Sequence, residues 1–193
     1  MEVFKLEHSK IAYMADFVLY GLAIILLALF LMFANPQAPS LRIILLILCG
    51  LIVWIFIEYG LHRFVLHGLA PFSHWHATHH QRPTALICAP TVLSAMLIFI
   101  LVFVPSFWIM NLWQACALTL GVLMGYFAYA VTHHAIHHWH TNNTWLNQRK
   151  KSHFLHHQLH HPAHGLVNKQ SKKACYYGVT TGVLDILFNT QNK

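Results

Sequence analysis

From Pro83 to Gln148 the chain contains no Asp, Glu, Lys or Arg. A segment that long and that apolar constrains the fold more than any other feature. It is too long for one membrane crossing, because a bilayer core of about 30 Å takes roughly 20 residues of helix. Pro105-Ser106 and Asn111 supply a bend, so the stretch predicts a hairpin of two helices over about 86–104 and 107–131. Upstream, Phe17 to Phe33 is an uninterrupted apolar run, closed by the turn cluster Asn35-Pro36-Gln37-Ala38-Pro39-Ser40. Arg42 opens a further run over about 43–61. Two spans followed by a soluble tail would leave the later hairpin facing water.

The predicted fold is therefore all-α: an integral membrane protein with four transmembrane helices and a cytoplasmic, histidine-rich helical cap. We expect one domain over residues 1–193, after a mixed-charge lead-in at 1–16. A hydrophobic fraction of 57% with 9% charged residues excludes disorder and an ordinary soluble domain. The net charge of +7 is not a nucleic-acid signal, because the basic residues flank the apolar runs. Four spans return the chain to its starting side. Arg63, Arg82, Arg149, Lys150, Lys151, Lys169, Lys172, Lys173 and Lys193 share that side with Lys5 and Lys10, and Arg42 falls on the other. The positive-inside rule makes that side the cytoplasm. Cys49, Cys88, Cys116 and Cys175 are widely spaced and read as small hydrophobes, without a disulfide framework. No cleaved signal is expected at the N-terminus, which mixes acids with lysines before a run long enough to span.

The chemistry lies in the histidines. Of 18 in the chain, eleven fall between His133 and His164 and six between His62 and His80. With five acidic residues in the chain, they cannot serve as counter-ions. Neutral imidazole is the commonest side-chain metal ligand. His76, His79 and His80 stand at i, i+3 and i+4; His157, His160 and His161 repeat the pattern; His133 and His137 stand at i and i+4. Such spacings share one helix face. His62 and His67 are five apart, which splays them by about 140° on an ideal helix, so a helix end or distortion is expected there. These ten are the candidate ligands, enough for two metals at four or five each. Imidazole suits zinc, copper, iron and nickel alike.

The register is ambiguous where His134 doubles His133 and His156 doubles His157. His8 reads as a solvated residue. His74, His138, His140, His153 and His164 read as surface or supporting residues. Glu58, one turn before His62, and Asp185, in GVLDILF, are candidates to orient ligand imidazoles, as are His138, His156 and His164. No catalytic group beyond the metal centre is expected. A histidine-rich metal-binding or transport protein is the non-enzyme alternative. Transport is disfavoured because the spans carry almost no ionisable residue near mid-bilayer.

The order HX4H (His62, His67), HX2HH (His76, His79, His80), HX3H (His133, His137) and HX2HH (His157, His160, His161) resembles the membrane fatty acid hydroxylase/sterol desaturase superfamily. EYGLHRFVLH, VTHHAIH and LDILFNT are each similar to fatty acid 2-hydroxylase segments. The resemblance covers about 57–190. It implies a di-iron centre that activates O2 and inserts oxygen into a C–H bond of a lipid, first of all a fatty acyl chain. Zinc is possible in purified protein. A carotenoid or sterol hydroxylase, or a desaturase, could be built on the same centre. No cytochrome b5 domain, Rossmann glycine pattern or four-cysteine iron–sulfur set is seen. An external donor of ferredoxin or cytochrome b5 type, with its reductase, is therefore expected. Without a C-terminal retrieval signal, the expected site is a bacterial inner membrane, with the endoplasmic reticulum as the alternative.

Overall fold

The computed structural model describes residues 7–35, 40–159 and 175–191. Helix α1 is Lys10–Phe33, α2 Leu41–Leu66, α3 Phe72–Gln81, α4 Thr91–Ile109, α5 Leu112–His138, α6 Thr144–Leu159 and α7 Val183–Leu187. No β-strand occurs among the described residues, where Glu7 and Ile87 form an isolated bridge. Helices α1, α2, α4 and α5, of 24, 26, 19 and 27 residues, are long and apolar enough to cross a membrane. At 1.5 Å per residue the shortest of them is about 28 Å long. This is an all-helical, multi-pass membrane protein.

Each span differs at its ends from the sequence expectation. Ser9 caps α1 by accepting from the Ala12 amide at 3.2 Å, so much of the predicted lead-in is helix. The hairpin bend falls at Met110-Asn111, and Pro105-Ser106 lies inside α4. A π-helical turn at Phe99–Phe103 precedes that proline, and the Ser106 hydroxyl donates to the Val102 carbonyl at 2.6 Å. Local π geometry and a serine hydroxyl are ways in which an intramembrane proline is absorbed without ending the helix. The last span continues past Val131 to His138, carrying the HX3H pair on its final turns.

The chain divides into two compact units, Met1–Trp54 with Leu86–Ala128, and Ile55–Ala85 with Tyr129–Lys193. In the first, Leu31, Ile43, Cys116, Ala117 and Leu120 form a buried cluster with Trp113 and Phe103 against it. Helices α2 and α5 meet there at two glycines. A Cβ on Gly50 would lie 2.2 Å from the Leu118 carbonyl oxygen, and one on Gly121 2.1 Å from that of Ile47. Small residues that let backbones touch are how apolar helices pack where lipid removes the hydrophobic drive. Val18, Leu19, Leu22, Ile25 and Leu26 of α1 are exposed, as a lipid-facing helix requires. Asp16 is buried and accepts from the Thr91 hydroxyl at 2.6 Å, so the one acid of α1 is not left unpaired. None of the four cysteines forms a disulfide; Cys116 and Cys175 are buried, but Cys49 is exposed on α2.

In the second unit, Ala135, Ile136, Leu146 and Val179 form one apolar cluster, and Tyr59, Tyr177 and Leu184 another. These pack the end of α5, the start of α6 and the 175–191 segment into a frame for the histidines.

Candidate metal centre

Two groups of imidazole nitrogens converge in the second unit. His62, His67, His76, His80 and His156 form one, and His79, His133, His137 and His153 the other, with the ligating atoms of each group all within 4.8 Å of one another. In the first, Nε2 of His76 is 3.1 Å from that of His62 and 2.9 Å from that of His80, and Nε2 of His67 is 3.0 Å from that of His156. In the second, His133 and His79 approach to 3.1 Å, and His137 and His153 to 3.0 Å. His157 lies beside this group, its Nε2 3.0 Å from that of His153. The His80 and His157 rings stack at 4.1 Å with 9° between planes, so the groups share a wall.

Local structure explains the sorting. Leu61–Leu66 is a π-helical turn. A π turn closes i to i+5, which brings residues five apart onto one side. His62 and His67 therefore stack, with ring centroids 5.2 Å apart. This is the distortion that the five-residue spacing predicts. On α3, His76 and His80 are one turn apart and face the first group, whereas His79 faces the second. On α6, His153, His156 and His157 hold the i, i+3, i+4 positions, and all three are buried.

That last register differs from the expected one. His153 was read as surface or supporting and His156 as supporting; at 2% and 0% exposure both stand within the groups. Two overlapping triplets, His153/His156/His157 and His157/His160/His161, satisfy the same spacing, so spacing could not choose between them. On α6 the first triplet is buried among the other histidines. His160, His161 and His164 lie outside the described residues. His74, His138 and His140 are exposed, and His138 stacks on His134 at 4.5 Å.

Glu58 and Asp185 are buried, at 4% and 1% exposure. Glu58 Oε1 accepts from the Val179 and Thr180 amides at 2.6 and 2.9 Å, and Oε2 accepts from the Thr180 hydroxyl. Asp185 accepts from the Tyr177 and Gly178 amides, each at 2.8 Å, and from the Thr190 hydroxyl at 2.7 Å. The sequence offered these carboxylates as candidates to orient ligand imidazoles; the bonds above brace the loop at 177–180. Its carbonyls take that part. His62 Nδ1–H donates to the Tyr177 carbonyl at 2.6 Å, and His156 Nδ1–H to that of Cys175 at 2.7 Å. Between those carbonyls Tyr176 has φ 59°, a left-handed backbone that a non-glycine residue rarely adopts. Neither carbonyl was legible in the sequence, which shows side chains and not backbone acceptors.

The hydrogen bonds also show whether an ion suits these groups. With Nδ1 protonated, His62 and His156 aim a lone pair from Nε2 at a neighbouring Nε2. His76 Nε2 lies near two such nitrogens and can donate a proton to only one of them. The other contact sets lone pair against lone pair, and a cation between them removes that repulsion. Burial holds His76, His153 and His156 well below the usual histidine range, and burial with the neighbouring His137 and His157 drives His79 down to about 2. The rings thus stay neutral and ligand-ready. Nitrogens sharing an ion at about 2.0–2.1 Å lie within about 4 Å of each other, a condition the 2.9–3.1 Å contacts meet. The donor sets fit two metal ions.

A family model, Fatty acid hydroxylase, matches residues 46–190. The chain belongs to the fatty acid hydroxylase family. It is 32% identical over 165 residues to a dihydroceramide fatty acyl 2-hydroxylase of Arabidopsis thaliana, covering 77% of this chain and 61% of that one. Over 164 residues it is 28% identical to the fatty acid 2-hydroxylase of Rattus norvegicus, covering 79% and 41%. A solved structure, full-length scs7p with only the hydroxylase domain visible, superposes with a TM-score of 0.74 at 25% identity, over 94% of this chain and 67% of that one. The chain thus spans about 40 to 60% of the length of these curated relatives.

Proposed function

We propose that this fatty acid hydroxylase family member is an O2-dependent, two-metal lipid hydroxylase acting on a fatty acyl chain. The observation that carries the reading is the pair of buried imidazole groups, each with its nitrogens within 4.8 Å. In this reading His62, His67, His76, His80 and His156 hold one ion, and His79, His133, His137, His153 and His157 the other. His153 and His156 take the places first given to His160 and His161. The metal is iron in the working protein, as the family resemblance implies. Bound there, the ions would supply O2 activation and C–H oxidation. The reaction balances as C–H plus O2, two electrons and two protons giving C–OH and water, with the electrons from an external ferredoxin- or cytochrome b5-type donor.

The chain's own part is to bind, orient and keep dry. A cavity of about 710 Å³ lies against His137, His153 and His157, with Pro83, Ile136 and Phe154 as apolar walls and Lys150 and Lys151 on its lining. Apolar walls beside the histidine nitrogens suit an acyl chain. The Lys150 ammonium donates to the Trp139 carbonyl, which ties the end of α5 to α6 beside the cavity. The basic residues near the histidines support a cytoplasmic orientation.

Lipid mass spectrometry of cells expressing the wild type or His153→Ala/His156→Ala tests this reading. A gain of one oxygen on an acyl chain, seen with the wild type alone, is expected. Loss of two hydrogens would make the protein a desaturase. No wild-type product, with O2, a donor system and acyl lipids supplied, would overturn the reading.

A further inference from the structure

We infer that Glu58 and Asp185 are positioning residues that make the two metal positions unequal. The inference rests on the two-metal reading above. Both carboxylates bind the loop that carries the Cys175 and Tyr177 carbonyls, and those carbonyls hold Nδ1 of His156 and His62. Both of those histidines belong to the first group. A carbonyl on Nδ1–H fixes the tautomer that points the Nε2 lone pair inward, and it raises the basicity of that nitrogen. Nδ1 of His79 and Nδ1 of His153, in the second group, are buried without a hydrogen-bond partner among the described residues. Two of the five rings of the first group are locked into ligand form by backbone acceptors, and neither His79 nor His153 of the second has such a lock among the described residues. Tyr176 adds an independent sign. A left-handed tyrosine persists where its surroundings enforce it, and here it sits between the two acceptor carbonyls.

The first group should therefore load first and release last. Two buried carboxylates that stand outside both histidine groups set the order through the loop they brace. Losing such an outer partner typically weakens a metal by about 10- to 100-fold.

The test is a chelator titration of the full-length, cobalt-loaded protein in detergent, followed by metal content and visible absorption. The wild type should release its two ions in separate steps, at least about tenfold apart in chelator. Asp185→Asn puts an amide N–H2 against a backbone N–H donor. It should weaken the tightly held ion by about 10- to 100-fold and leave the weaker step and its spectrum in place. Thr190→Val, which removes one bond to Asp185, is the milder variant should Asp185→Asn fail to fold. It should shift the same step in the same direction by less. One simultaneous release from the wild type would overturn the inference, as would equal weakening of both steps in the variants. Wild-type protein that binds no metal would instead overturn the two-metal reading itself.

Discussion

His153 shows what one residue decides. Its ring lies between His137 and His157, with Nε2 3.0 Å from that of each. His153→Ala should therefore lower bound metal from about two ions per chain to about one, measured by elemental analysis of folded protein. An unchanged content would return the register to His157/His160/His161. The same residues govern acid sensitivity. His76, His79, His153 and His156 titrate below their usual range when folded, with burial as the first cause. In the unfolded chain they titrate near about 6.5. Below that pH the unfolded chain binds protons that the folded chain refuses. Stability is thus complete above about 6.5 and falls as pH falls, by up to about 1.4 kcal/mol per pH unit for each ring. Melting of the metal-free protein between pH 8 and 5 should show a decline that starts near 6.5; a flat profile would count against buried neutral rings. At this scale the sequence pointed to the residue type and to the stretches that supply the two histidine groups, and left the register of the last stretch open. Two triplets spell the same spacing there, and spacing alone does not separate a buried triplet from its neighbour; burial is a property of the folded chain.

At the scale of elements, α2 carries two different devices on one helix. Near its middle, Gly50 lets α5 approach to backbone contact, with Gly121 answering from the other side. A methyl at Gly121 would meet the Ile47 carbonyl at 2.1 Å. Backbone atoms cannot swing aside, so Gly121→Ala should cost about 1–3 kcal/mol. Gly60→Ala, on the same helix with nothing within 4 Å of its Cβ, should be neutral or stabilising by up to about 1 kcal/mol. Thermal unfolding in detergent compares the two, and equal effects would refute the close crossing. Toward its end, α2 widens into the π turn that aligns His62 with His67. The misfit was readable in the sequence as a five-residue spacing on a helix. Its resolution as a π turn was not, because that depends on which distortion the neighbours accept. The span ends shifted for a related reason: hydropathy marks where lipid contact stops, whereas hydrogen bonding carries α5 on through His133 and His137 to His138.

For the whole molecule, the placing of the apolar runs announced a four-span helical membrane protein, because so little of the chain could face water. What the cavity holds is a matter of shape. Phe154 lines it and is 61% exposed, so its truncation should spare the fold. Phe154→Ala should change the relative conversion of acyl chains of different length several-fold while metal content stays at wild-type level; an unchanged product profile would remove the cavity as the acyl seat. The histidines come from α2, α3, α5 and α6, and two of them also need the loop after residue 174. No early stretch of the chain contains a complete ligand group. During biosynthesis, then, a ribosome must deliver the chain past α6 before either histidine group can assemble, and past Tyr177 before His62 and His156 gain their carbonyl partners. A chain that stalls before α6 has no complete histidine group, so the site is assembled late, from parts far apart in the sequence.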